Sequence, residues 1–167
     1  SAPIPYNDAN NGGPNALLQN NGQFQFANVT TQVGLDQNNR RFSFAASWED
    51  FDQDGDVDLY VANDFGRNNL YRNDGGRFTD IAAASAVEDM AGGMSVSWGD
   101  FNRDGRMDLY VGNMFSAAGN RVTFQRQFVD RYQDRSQAMQ RMARGNTLFA
   151  ARPDGSFDDV SETLGVN

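Results

Sequence analysis

Short apolar runs broken by Asn, Asp and Gly dominate the chain, the pattern of short antiparallel strands joined by tight turns. Three stretches share one order of residues. Asn15-Ala16-Leu17-Leu18-Gln19-Asn20-Asn21-Gly22 leads to Phe26-Ala27-Asn28-Val29. Asn68-Asn69-Leu70-Tyr71-Arg72-Asn73-Asp74-Gly75 leads to Phe78-Thr79-Asp80-Ile81, and Asn146-Thr147-Leu148-Phe149, with Asp154-Gly155, leads to Phe157-Asp158-Asp159-Val160. Each reads as a strand, an Asn/Asp-Gly turn and a second strand. Two further runs, Ala45-Ala46-Ser47-Trp48 and Gly93-Met94-Ser95-Val96-Ser97-Trp98, are each followed by an acidic turn and then by Leu-Tyr-Val, at Leu59 to Val61 and Leu109 to Val111. Small side chains suit an innermost strand where sheets converge, and the equivalent placement of Trp48 and Trp98 favours a role in packing between sheets.

One segment departs from this pattern. From Asn63 to Asn68 is 5 residues, whereas from Asn113 to Asn146 is 33, so 28 residues are inserted in the second unit. Within them Phe124, Phe128, Tyr132, Met139 and Met142 recur at helical spacing, with Arg126, Arg131, Arg135, Arg141 and Arg144 largely elsewhere. The spacing predicts one amphipathic helix of about five turns within a helical insert at about 117–144, packed by its apolar stripe on a sheet edge. The resulting division is a flexible leader at 1–14, an outer half-unit and connection at 15–40, a first full unit at 41–92 and a second at 93–167. A repeat of about 50 residues holding four short strands predicts an all-β fold of β-propeller-type blades, about two and a half of them.

The acidic turns carry the candidate chemistry. Asp50, Asp52, Asp54 and Asp58 stand at loop positions 1, 3, 5 and 9, with Gly55 at position 6 for the sharp turn. Asp100, Asn102, Asp104 and Asp108 repeat the pattern around Gly105, an amide oxygen replacing one carboxylate. Oxygen donors at this spacing predict two Ca2+ sites. Position 7 changes from Asp56 to Arg106, which is compatible with ligation through the backbone carbonyl but not through an Arg side chain. An EF-hand is excluded at position 12, where Val61 and Val111 replace the bidentate Glu.

Composition narrows the function classes. The net charge of -8 and pI near 4.4 repel a phosphate backbone and argue against nucleic acid as a partner. The chain has no Cys and no His, which excludes disulfides, Cys-based zinc sites and the commonest general base. No run approaches a membrane span. Ser1-Ala2-Pro3-Ile4-Pro5 reads as an exposed start left by processing. Because weak calcium loops fill only near millimolar Ca2+, the expected location is extracellular or periplasmic.

The motif Asp-x-Asp/Asn-x-Asp-Gly-x-x-Asp-Leu-Tyr-Val, alternating with Asn-x-Leu-Phe/Tyr and a Gly turn before Phe-x-Asp-Val, resembles the FG-GAP/VCBS repeats of integrin alpha-chain propellers and of bacterial ASPIC/UnbV-type proteins. The resemblance covers about residues 15–165. It implies four-stranded propeller blades with Ca2+ in the hairpin between the first two strands. Carried over, the ligands are Asp50, Asp52, Asp54, Asp56 by its carbonyl, and Asp58, then Asp100, Asn102, Asp104, Arg106 by its carbonyl, and Asp108. Family propellers usually close with about seven blades, so two blades and a half-blade imply neighbours, either copies of this chain or the rest of a parent propeller. The expected function is a calcium-binding module for adhesion, assembly or scaffolding, not an enzyme. The alternative is an extracellular hydrolase or lyase acting on polysaccharide or phosphoester through carboxylates such as Asp64, Asp74, Asp80 or Glu88.

Overall fold

The computed structural model describes residues 2–131 and 136–166. Ten strands form three antiparallel sheets. A two-stranded sheet pairs β1 (Leu18–Asn20) with β2 (Phe26–Asn28), and the helical turn α1 (Thr30–Val33) follows. The first four-stranded sheet runs in chain order: β3 (Phe42–Glu49), β4 (Asp58–Phe65), β5 (Asn69–Asn73) and β6 (Phe78–Asp80). The second is also a meander, of β7 (Gly93–Gly99), β8 (Asp108–Asn113), β9 (Thr147–Ala151) and β10 (Phe157–Asp159), closed by the helical turn α5 (Ser161–Leu164).

The sheets stack face to face, with β7 lying against β3 and β4. Between them is a core that includes Tyr60, Ala62 and Leu70 from one side and Leu109, Val111 and Phe149 from the other. Trp98 packs into this core against Phe51 and Phe157, the inter-sheet role expected of it. A smaller core of Leu35, Leu59, Val61 and Tyr71 covers part of the opposite face of the first sheet.

The insert is helical but not one helix. It forms α2 (Ala117–Thr123), α3 (Arg126–Arg131) and α4 (Ser136–Arg144), and α2 folds back beside α4 with Gly119 against Ala143. The reason is closure of the chain. Its two ends must meet, since Asn113 N–H donates to Asn146 Oδ1 at 3.1 Å and Phe115 bridges Arg144, whereas a straight helix of five turns would hold them about 27 Å apart. The expected stripe is therefore not a continuous seam, and Phe124 is 66% exposed. Tyr132 and Arg135 lie outside the described residues, as do the side chains of Phe128 and Arg131. Arg141 ties the insert down by an ion pair of 2.9 Å to Asp89, whose side chain is fully buried.

Residues 2–14 form no helix or strand, and hydrogen bonds pin them to the first sheet. Asp8 accepts from Arg41 at 2.9 Å and Arg67 at 3.1 Å, and Gly12 N–H donates to the Arg40 carbonyl at 2.6 Å.

Candidate metal centre

Both acidic turns connect the first two strands of a four-stranded sheet, and their backbones close in the same way. Asp50 receives the N–H groups of Asp54 and Gly55, each at 3.1 Å, and Asp100 receives those of Asp104 at 3.0 Å and Gly105 at 2.9 Å. Position 4 is left-handed in both, at φ 62° for Gln53 and 61° for Arg103, and so is position 6, at 96° for Gly55 and 85° for Gly105. Two left-handed residues within three turn the chain tightly enough to aim successive side chains at one point. Position 9 anchors each turn to the sheet. Asp58 is 1% exposed and accepts from Phe51 N–H at 3.2 Å and Asn73 N–H at 2.8 Å. Asp108, also 1% exposed, accepts from Phe101 N–H at 3.0 Å and Ala151 N–H at 2.8 Å.

The carboxylates are distributed differently. In the first loop Asp50, Asp52 and Asp58 bring oxygen atoms within 4.8 Å of one another, and no other such set of acids occurs among the described residues. Asp54 and Asp56 stand outside this trio: Asp54 accepts from Asp56 N–H at 2.8 Å, and Asp56 from Gly75 N–H at 2.7 Å. Burial pushes Asp58 up to about 6 despite its two backbone donors, and the charges of Asp52 and Asp54 add to the rise. Asp52 is also raised, first by burial and then by Asp54 and Asp50. Burial is the first cause of both rises and the crowding of like charges adds to it, while the charge of Arg72 offsets Asp52 only in part.

The second loop compensates its own charge. Asn102 replaces the second acid of the trio, and its amide donates to Asp104 at 2.8 Å. The Arg106 guanidinium turns back onto the same carboxylate and also donates to the Ala151 carbonyl at 3.2 Å. Arg106 thus brings a cation to position 5 of its own loop. Gln53 of the first loop donates to the Gly105 carbonyl of the second at 2.6 Å, so the two turns lie side by side. No spacing or residue type in the sequence signals that contact.

An all-oxygen trio with crowded negative charge fits a hard divalent cation, and the absence of Cys and His fits no softer one. The proposed second set, Asp100, Asn102, Asp104, Arg106 and Asp108, keeps the donors but with less negative charge. Of the other acids considered, Asp74 pairs with Arg72, Asp80 accepts from Asn38 and Asn69, and Glu88 pairs with Arg67. Asp64 is raised by burial and lies beside the insert, away from the acidic turns.

No helix among the described residues is long and apolar enough to cross a membrane. No curated protein matches the chain. Residues 50–111, from the first acidic turn through the outer strands of the first sheet to Val111 in β8, match the FG-GAP-like repeat, and the chain carries that repeat.

Proposed function

We propose that the chain is an extracellular, calcium-stabilised module of β-propeller type that acts in adhesion, assembly or scaffolding rather than catalysis. The observation that carries this reading is the Asp50, Asp52 and Asp58 trio, placed at the turn between the inner strands of an FG-GAP-like repeat. Each four-stranded sheet is read as one blade. In the first loop Asp50, Asp52, Asp54, Asp58 and the Asp56 carbonyl would hold the ion. In the second the donors would be Asp100, Asn102, Asp104, Asp108 and the Arg106 carbonyl. A bound Ca2+ would supply the positive charge that offsets the clustered carboxylates; the protein oxygens would coordinate it, and the position-9 carboxylates anchor each turn to the sheet. Partners are other protein chains, copies of this one or the rest of a parent propeller.

Extracellular calcium modules bind at about 10^-4 to 10^-3 M, so a tenfold excess over Kd adds about 1.4 kcal/mol per site. Thermal melts in millimolar Ca2+, in Mg2+ and in EDTA test the reading. Calcium is expected to raise Tm by several degrees over both other conditions, and a melt indifferent to EDTA would overturn it.

A further inference from the structure

The two-stranded sheet is the outer half of an incomplete third unit. The Leu17 carbonyl accepts from Val29 N–H at 3.0 Å, as Leu70 does from Ile81 at 2.7 Å and Leu148 from Val160 at 2.9 Å. Asn28 caps Thr30 N–H, as Asp80 caps Ala82 and Asp159 caps Ser161. In this register β1 stands where β5 and β9 stand. Strand β5 pairs on its inner side with Leu59–Val61 of β4, whereas among the described residues β1 pairs with β2 alone.

The cores confirm the correspondence. Leu17 and Leu35 face Leu59, Val61 and Tyr71 on the first sheet. Between the sheets Leu70 and Val87 face Leu109, Val111 and Phe149 in the same arrangement. That larger core has five more buried members, and three of them, Phe51, Tyr60 and Ala62, come from the hairpin of β3 and β4. Where their counterparts would lie on the outer face there is a groove of about 460 Å³, lined by Leu17, Ala46, Trp48, Leu59 and Val61 among others. Trp98 stacks on Phe51 at 6.0 Å and meets Phe157 at 6.3 Å, while Trp48 meets Phe78 at 5.9 Å, lines the groove and is 44% exposed. The polar seat is repeated too. Asn73 and Ala151 give their N–H groups to Asp58 and Asp108, and Asn20 holds the matching register, pairing with Phe26 as Asn73 pairs with Phe78.

We infer that this groove is the docking site for a β-hairpin of the same repeat type as 42–65, supplied by polypeptide other than residues 1–167. The inference rests on the repeat-module reading and specifies its partner chemistry. The incoming hairpin pairs its second strand with Ala16–Leu18, places an aromatic residue on Trp48, fills the groove with the counterparts of Tyr60 and Ala62, and sets a carboxylate on Asn20 N–H. A whole second copy does not fit, because both of its inner hairpins already carry outer strands that would collide with β1 and β2. Strand addition of this kind draws affinity from the backbone edge and specificity from alternate side chains.

The test adds a synthetic peptide of sequence 42–65 carrying Trp48→Phe to the full chain in Ca2+, with a control peptide that also carries Tyr60→Asp and Ala62→Asp. The expected result is saturable binding, a blue shift of Trp48 emission read in Trp98→Phe, and about tenfold slower amide exchange at residues 16–20. Exchange is followed in the unsubstituted chain as well, so that instability of the Trp98 variant does not decide the outcome. Exchange unchanged at saturating peptide, or equal binding of the control, overturns the inference. Slow exchange in the chain alone, together with a dimer in sedimentation, overturns it in favour of a second copy. Repetition in EDTA separates the two readings: docking that persists when calcium does not alter Tm leaves this inference standing and removes the calcium one.

Discussion

The two acidic turns share a backbone and differ in how their charge is balanced. Position 1 receives two N–H groups, position 6 is left-handed and position 9 is buried in both. Positions 3 and 7 diverge: Asp52 and Asp56 in one turn, Asn102 and Arg106 in the other. The first therefore gathers three carboxylates with no cation of its own, and the second carries a guanidinium on Asp104. The comparison separates two jobs that the motif performs together. Positions 1, 6 and 9 make the turn and fasten it to the sheet, whereas positions 3 and 7 set how the charge gathered there is balanced.

The position-9 anchors should give the largest effects. Asp108→Ala strands the N–H groups of Phe101 and Ala151, and at about 1–3 kcal/mol for each buried unsatisfied group it is expected to cost about 3 kcal/mol. Asp58→Ala strands two N–H groups as well, but it also removes one of three crowded charges, so in EDTA it should cost about 1–2 kcal/mol less. In Ca2+ each variant also loses the ion of its own loop, and the order should reverse because the first loop, with more carboxylates and no cation of its own, is expected to hold its ion the more tightly. Urea unfolding of both variants, with and without chelator, checks this. Equal costs in EDTA would mean that the crowding of the first loop carries no energetic weight.

How much of this was legible without coordinates depends on sequence separation. The hairpins were legible because their signals, apolar pairs around Asn-Gly and Asp-Gly turns, lie within a dozen residues. The acidic turns were legible because the way such a turn closes is dictated by local spacing. What failed was whatever depended on distant closure. The 117–144 insert has helical periodicity, but its shape is decided by the need to bring Asn146 back to Asn113, which periodicity does not encode. The leader at 1–14 has no pattern, yet Asp8 fastens it to Arg41 and Arg67, residues far along the chain. Arg106 was legible as a break in the motif, but its return onto Asp104 depends on a rotamer and on the carbonyl of Ala151.

Removing that guanidinium should make the two loops more alike. Arg106→Gln frees Asp104 and takes the formal charge of residues 100–108 from -1 to -2, since Arg103 remains beside the three carboxylates. The pair is partly exposed, at 37% for Arg106 and 27% for Asp104, and such pairs contribute about 0.2–1 kcal/mol, so Ca2+ affinity at the second site should rise up to about fivefold. Calorimetric titration in a background that disables the first site, Asp52→Ala, isolates the change. An unaltered or weaker affinity would show that Arg106 does not compete with the ion.

The smallest effect should come from the connections on the opposite ends of the same strands, where the sheets also differ. The second sheet closes its connection with the helical insert held by Arg141 on buried Asp89, and the first closes a short turn with the leader held through Asp8. Burial acts to raise Asp8, but hydrogen bonds and charge from Arg41 and Arg67 outweigh it and hold the carboxyl below its ordinary value. A group depressed in the folded state contributes stability above its unfolded pKa, and that contribution is lost as pH falls through the folded value. The leader should therefore be fastened at neutral pH and released at acid pH below about 4. Asp8→Asn keeps the shape and removes the charge, and because Asp8 is one-third exposed the loss should be about 1 kcal/mol or less, measured by urea unfolding at pH 7. Amide exchange at residues 8–12 should quicken in Asp8→Asn at pH 7 while the amides of β8 and β9 do not change. Equal quickening in both sheets would show that the leader supports the whole stack rather than one connection of the first sheet.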